Sequence, residues 1–215
     1  MSNLLIVESE NDKYFIEALI NHLNLNLEVG SPICSIDDYE CLGGIGKLEE
    51  KLNEIKAIVA KDGIEIVGII FDADSVGVER RKSEIEEKIS LVFGENSDVR
   101  FEIYIMNVDG FGELETILKL IYSKDATIAN CLEKWQDCLP EDKRLNQKEF
   151  DKFWIQIYQR YDCCSKKEAK QAGKKCNNKT SLKEKDIWNF DHEILDDLKE
   201  FLKIVGANND NTTSN

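Results

Sequence analysis

The sequence predicts an α/β fold, a mainly parallel β-sheet flanked by helices and followed by a C-terminal helical segment. Three observations predict it. Apolar runs and helix-period segments alternate in the order β-α-β-α-β-α-β-α over residues 1–122, an order that builds a parallel sheet covered on both faces. The run Ile64-Glu65-Ile66-Val67-Gly68-Ile69-Ile70-Phe71 is almost unbroken and β-branched, the composition of a strand buried on both sides. The chain has 215 residues, 42% of them hydrophobic and 33% charged, which suits one domain with a sizeable core.

Each element follows in turn. Residues 4–7 are a short apolar strand, and Glu8 to Asp12 supply helix-start chemistry. Phe15, Leu19, His22 and Leu23 then recur at helical spacing. Residues 27–36 read as a second strand, broken by Gly30-Ser31-Pro32, and Pro32 argues for an edge position. Gly43-Gly44-Ile45-Gly46 is a turn, after which Leu48, Leu52, Ile55 and Val59 mark one face of a helix. The strongest strand ends in Asp72-Ala73-Asp74, and Val78, Ile85, Ile89 and Val92 mark the next helix. Residues 101–106 are the fourth strand. A turn at Asp109-Gly110-Phe111-Gly112 leads into a helix carrying Leu114, Ile117, Leu118 and Ile121.

Beyond residue 122 the character changes. Helical stretches are predicted at 127–138 and 147–161, then a Lys-rich segment at 165–185 that reads as a solvated loop. Trp188, Phe190, Leu195, Leu198 and Leu202 resume an amphipathic pattern. The expected organisation is an α/β core at 1–122, a helical and Lys-rich insertion at 123–186, a segment and helix returning to the core at 187–206, and a flexible polar tail at 207–215.

The net charge is −14, which opposes tight, sequence-independent binding to a phosphate backbone through a broad basic groove. No apolar run approaches the ~20 residues of a membrane span, and residues 1–7 resemble a strand more than a signal sequence. A cytoplasmic location is expected, with the seven cysteines as reduced thiols. Their spacing lacks a C-x₂-C pair and argues against zinc. Cys131 and Cys138 are expected on a buried helix face. His22 on its apolar stripe and His192 near a helix start are expected to pack or cap.

Ligands of open α/β sheets collect beyond the carboxyl ends of the strands. Three acidic motifs fall there: Glu8 after the first strand, Asp72 and Asp74 after the strongest one, and Glu113 and Glu115 after the turn that follows the fourth. Alternation along the strand predicts Asp72 and Asp74 on one side, with Ala73 turned away. Clustered carboxylates repel and raise each other's pKa, and a hard divalent cation relieves that repulsion. A single acid at a strand end is more often a helix cap than a ligand. The coincidence of three motifs is what points to a metal.

These motifs, Val7-Glu8-Ser9-Glu10-Asn11-Asp12 and Ile70-Phe71-Asp72-Ala73-Asp74, resemble the Toprim domain of topoisomerases, bacterial primases and related nucleases. The chain is most similar to small stand-alone bacterial Toprim-related proteins. The shared features run on through Gly43-Gly44-Ile45-Gly46-Lys47, through Asp72, Asp74, Gly77 and Arg80, through Gly112, Leu114 and Glu115, and through residues 187–192. The resemblance implies a Rossmann-like sheet, acid/base work by Glu8, and Mg²⁺ or Mn²⁺ held with Asp72 and Asp74. Asp12, Lys47, Arg80, Glu113 and Glu115 are expected to support the site. From the residues themselves, Lys47 at a helix start either contacts a phosphate or is an ordinary solvated lysine, and Arg80 or Arg81 either reaches a phosphate or a site acid or is a surface partner of Glu84. Two positions depart from the family pattern. Ser9 stands where Gly is usual and would narrow the site, and Val78 stands where topoisomerases continue with Asp.

The function this implies is that of a metal-dependent nuclease or other phosphodiester-processing enzyme, with nucleic acid or a nucleotide as partner. Two rivals stand beside it. One is a non-catalytic module binding a nucleotide or a partner protein, for example in phage defence, and the other is a phosphotransfer enzyme for small nucleotides.

Overall fold

Four apolar runs form one sheet. They are β1 (Leu4–Val7), β2 (Glu28–Val29), β3 (Ile66–Asp72) and β4 (Arg100–Met106), in the order β2-β1-β3-β4 with every pair parallel. The structure, a computed structural model, describes residues 3–34, 44–94 and 97–207. The architecture is α/β and Rossmann-like, with helices on both faces. Helical crossovers between successive strands account for the parallel pairing.

The period of two along the strands sorts side chains between two cores. Leu5, Val7, Ile66 and Ile70 join one, while Ile6, Val67, Ile69 and Phe71 join the other. The first core is covered by α1 (Glu10–His22), through Phe15, Ile16 and Leu19, and by α10 (Asp196–Gly206), through Leu198, Phe201 and Leu202. The second is covered by α2 (Gly44–Asp62), through Leu48, Leu52, Ile55 and Val59, and by α3 (Val78–Phe93), through Ile85 and Val92.

A helical layer extends the first core. It contains α4 (Leu114–Leu118), α5 (Thr127–Asp137) and α6 (Gln147–Ile157), which runs into a π-helical turn at Tyr158–Cys163. Trp154, Tyr158 and Trp188 pack their rings together there, and the Tyr158 hydroxyl donates to the Ile187 carbonyl at 3.0 Å.

Several expectations need correction. The second strand is an edge strand broken at Gly30-Ser31-Pro32 as expected, but its regular part is only Glu28–Val29. Past the break Ile33 and Cys34 donate to the Val7 and Glu8 carbonyls at 3.1 and 2.9 Å, and residues 35–36 lie outside the described residues. The Lys-rich segment is not a loop. It folds as α7 (Lys166–Ala169), α8 (Ala172–Lys175) and α9 (Asn178–Glu184), with Ser165 and Asn177 as N-caps. Thr180, Ser181 and Leu182 are buried, and Lys179 and Lys183 lie over the Tyr14 ring on α1. Not every cysteine is a free thiol, since Cys164 and Cys176 are joined by a disulfide that ties the end of the π turn to the end of α8. Cys131 and Cys138 are exposed, because α5 turns other residues inward. His192 caps the turn at Ile194 as expected, and His22, expected to pack, packs on Phe190 and also pairs with Asp191 at 2.9 Å. Gly43 of the glycine turn and residues 208–215 of the tail lie outside the described residues. No helix among the described residues is long and apolar enough to cross a membrane.

Candidate functional site

β1 and β3 are neighbours with Val7 in register with Ile70, so both strands release their next acids at the same rim. A cavity of about 470 Å³ there is lined by Glu8, Asp12, Asp72, Asp74, Glu113 and Glu115, together with Lys148 and Lys152 from α6. All three acidic motifs therefore meet at one place.

Glu8 lies against the N-terminal end of α2. Its Oε1 accepts the Gly44 N–H at 3.1 Å, while its Oε2 is buried without a hydrogen-bond partner. Glycine at 44 permits this approach, since a Cβ there would stand 2.5 Å from Glu8 Cγ. Burial pushes the Glu8 carboxyl up, the Gly44 N–H opposes, and the charge of Asp74 adds to the rise. Asp12 is almost wholly buried. Its Oδ2 accepts the Ser9 N–H at 2.8 Å, and the Ser9 hydroxyl accepts the Asp12 N–H at 3.3 Å, a capping box at the start of α1. Burial lifts its pKa to about 7, against the Ser9 hydrogen bonds and with help from Glu8. The Ser9 hydroxyl thus caps the start of α1, which glycine could not do, whereas the N–H that holds the Asp12 carboxylate is backbone.

Asp72 Oδ1 accepts the Leu114 N–H at 3.1 Å. Its carboxyl is pushed well up, first by burial and then by Asp12 and Glu8. The strand ends at Asp72, so alternation does not place Asp74. Asp74 instead takes a left-handed backbone (φ 50°) and pairs both ways with Gly112, at 2.8 and 3.1 Å. Its two oxygens are met by cations, Oδ2 by Arg81 at 2.9 Å and Oδ1 by Lys148 at 2.7 Å. Arg81 is buried and also holds the Asp72 carbonyl at 3.1 Å.

Glu113 receives Lys148 at 2.8 Å and Lys152 at 3.3 Å on Oε2, while Oε1 is buried without a hydrogen-bond partner. Burial raises Glu115, which the Lys152 charge opposes. Burial works against the Lys148 ammonium, but its bonds to Asp74 and Glu113 prevail and raise its pKa. Among the described residues, no three His, Cys, Asp or Glu side chains already stand as a metal-ligand group. Arg81, Lys148 and Lys152 supply positive charge to Asp74 and Glu113 instead. Two expected supporting residues sit elsewhere. Lys47 lines a separate cleft with Ser31, Pro32 and Lys51, and Arg80 pairs with Glu84 on the outer face of α3.

The family model named Protein of unknown function (DUF3226) matches residues 2–206. The chain belongs to this family. No curated protein and no solved structure matches it. Because the DUF3226 match spans both the sheet and the helical layer, the acidic rim and the lysines of α6 fall within one family unit. Sequence reasoning missed Lys148, Lys152 and Asn178. The two lysines carried a signal, standing four apart on a helix and so on one face. Asn178 lines the cavity from α9, within the stretch read as a loop.

Proposed function

We propose that the acidic rim binds Mg²⁺ or Mn²⁺ and that the chain is a Toprim-like protein processing phosphodiesters, a nuclease in the simplest form. One observation carries the reading: Glu8, whose carboxylate no lysine or arginine among the described residues bridges, buries its Oε2 with no hydrogen-bond donor in the cavity that Asp72 also lines. An anionic oxygen hidden in this way is costly unless a cation meets it. The donor set is all hard carboxylate oxygen, which suits Mg²⁺ or Mn²⁺ rather than a thiolate metal. Glu8, Asp72 and Asp74 would hold the ion, which polarises a phosphodiester and activates water when bound. The raised Glu8 carboxyl is placed to hold or release a proton at Oε2. Lys148 and Lys152 present ammonium groups at the same cavity and would steady the phosphate oxygens. A cytoplasmic setting, where nucleotides are plentiful, goes with this reading, and the Cys164–Cys176 disulfide weighs against it.

The test is Mn²⁺ binding by calorimetry, alongside cleavage of labelled single-stranded DNA and RNA. Wild type is expected to bind and cut, while Glu8→Gln and Asp72→Asn lose both with unchanged folding. Equal Mn²⁺ affinity in all three proteins would overturn the reading. A non-catalytic binding module is the second reading, favoured by the salt bridges that engage Asp74 and Glu113. It is supported if ligand binding is seen without cleavage under any divalent cation.

A further inference from the structure

A second cavity, of about 690 Å³, adjoins the acidic one and shares Asp74, Glu113 and Lys148 with it. Its character differs. Phe111 and Val76 line it and are 56% and 36% exposed, so apolar surface stands directly beside the charged rim. Gln147 adds an amide to the wall.

Phe111 is held in place by its backbone. It pairs both ways with Val108, at 3.2 and 2.7 Å, while Gly110 accepts the Val78 N–H at 3.2 Å. The next residue, Gly112, is the one that pairs with Asp74. The turn needs left-handed backbone at Asp109, Gly110 and Gly112, with φ of 52°, 91° and 99°. A Cβ at Gly77 would lie 3.1 Å from the ring carbon Cε1, so the ring rests beside bare backbone and exposes the rest of its surface. The aromatic ring is therefore fastened to the same loop that aims Asp74 into the rim.

We propose that this second cavity is a base-binding subsite for single-stranded nucleic acid, in which the base flanking the phosphodiester at the rim stacks on Phe111. The proposal rests on the reading of the rim as a phosphodiester site. A nucleobase has the matching chemistry, with flat apolar faces and polar edges. Stacking on an aromatic ring tolerates any base, and it needs an unstacked one, which a single strand offers and a duplex does not. The lysine shared by the two cavities, Lys148, stands between the base and the acids, where the connecting phosphate would pass.

Fluorescence anisotropy tests this with full-length protein, a labelled oligothymidylate and an abasic strand carrying the same number of phosphates. Ca²⁺ replaces Mg²⁺ to keep the strand uncut. Phe111→Ala is expected to weaken oligothymidylate binding about tenfold, Phe111→Trp to retain it, and the abasic strand to bind weakly to all three. Because the ring is exposed, the melting temperature of Phe111→Ala should equal that of wild type. The subsite is overturned if Phe111→Ala binds like wild type, if the abasic strand binds as well as oligothymidylate, if a duplex of the same sequence binds better, or if no strand binds. Mn²⁺ titration separates the two ideas. Mn²⁺ binding that needs Glu8 and Asp72, with no effect of Phe111→Ala on the strand, removes the subsite and leaves the rim reading intact. Phe111-dependent strand binding with no Mn²⁺ bound removes the rim reading alone.

Discussion

Glu8, Asp12, Asp72 and Glu115 all hold their protons more tightly than ordinary carboxyls, with burial as the leading cause. The consequence for stability has a definite sign. In the unfolded chain these acids ionise in the usual carboxylate range, whereas folded Asp12 stays protonated until about pH 7. Across that window the native state binds more protons than the unfolded one, so stability falls as pH rises. Melting of the metal-free protein is expected to drop between about pH 5 and about pH 8. Asp12→Asn should flatten the slope, and a parent melting temperature that climbs over the interval would contradict the assignment. An added divalent cation needs the ionised acids, so its stabilising effect should grow with pH over the same range. Gly44 offers a more local check. Alanine there would displace the Glu8 carboxyl, although the exchange is otherwise mildly favourable in a helix. Gly44→Ala should therefore lose Mn²⁺ affinity while melting within a few degrees of wild type. A variant with full Mn²⁺ affinity would show that Glu8 is not a ligand.

At the scale of elements, α6 brings the site Lys148 and Lys152. It is anchored by Asp151, which is fully buried and accepts hydrogen bonds from Thr116 and Lys119 of the α4 region at 3.2 and 3.3 Å and from Gln147 at 2.8 Å. Asp151→Ala leaves the Lys119 ammonium short of its partner and should cost about 3 kcal/mol in denaturant unfolding. An unchanged midpoint would mean that aromatic packing alone seats the helix. Lys148→Met tests the other face of α6. Removing its ammonium frees Asp74 Oδ1 and leaves Glu113 with Lys152 alone, which should raise Mn²⁺ affinity several-fold by calorimetry, and an unchanged affinity would make Lys148 a bystander. The elements differ in how far the sequence announced them. The core strands and the faces of α1, α2 and α3 were readable because Leu48-Leu52-Ile55-Val59 and its counterparts repeat with one period. The helices α7, α8 and α9 were not, since each spans two turns or fewer and lacks an apolar stripe. Caps at Ser165 and Asn177, the Cys164–Cys176 bond and tertiary contact with α1 define them, and none of these follows from hydrophobic periodicity. The three acidic motifs could be placed at one rim from strand order alone. The partners of the acids could not, because Lys148 lies 74 residues from Asp74 in the chain and its position depends on how the helical layer docks.

For the molecule as a whole, a net charge of −14 sets how nucleic acid can be held. A phosphate chain approaching such a surface is repelled except where cations stand out, and at the rim these are Lys148 and Lys152, each about half exposed. Binding to a single strand releases about 0.7 counterions per phosphate neutralised, so two lysines give a slope of about −1.4 in log affinity against log salt. The proposed mode therefore carries a signature distinct from that of a protein with a basic groove. Strand binding should require a divalent cation, vanish in excess chelator and weaken only gently between about 50 and about 200 mM monovalent salt. The double variant Lys148→Met, Lys152→Met should flatten that shallow slope further. A slope of about −5 or steeper, or binding that survives both the chelator and Phe111→Ala, would mean that a broader basic face tracks the phosphates. Residues 165–185 hold the densest run of lysines in the sequence, so that outcome would move the nucleic acid off the rim and onto the insertion.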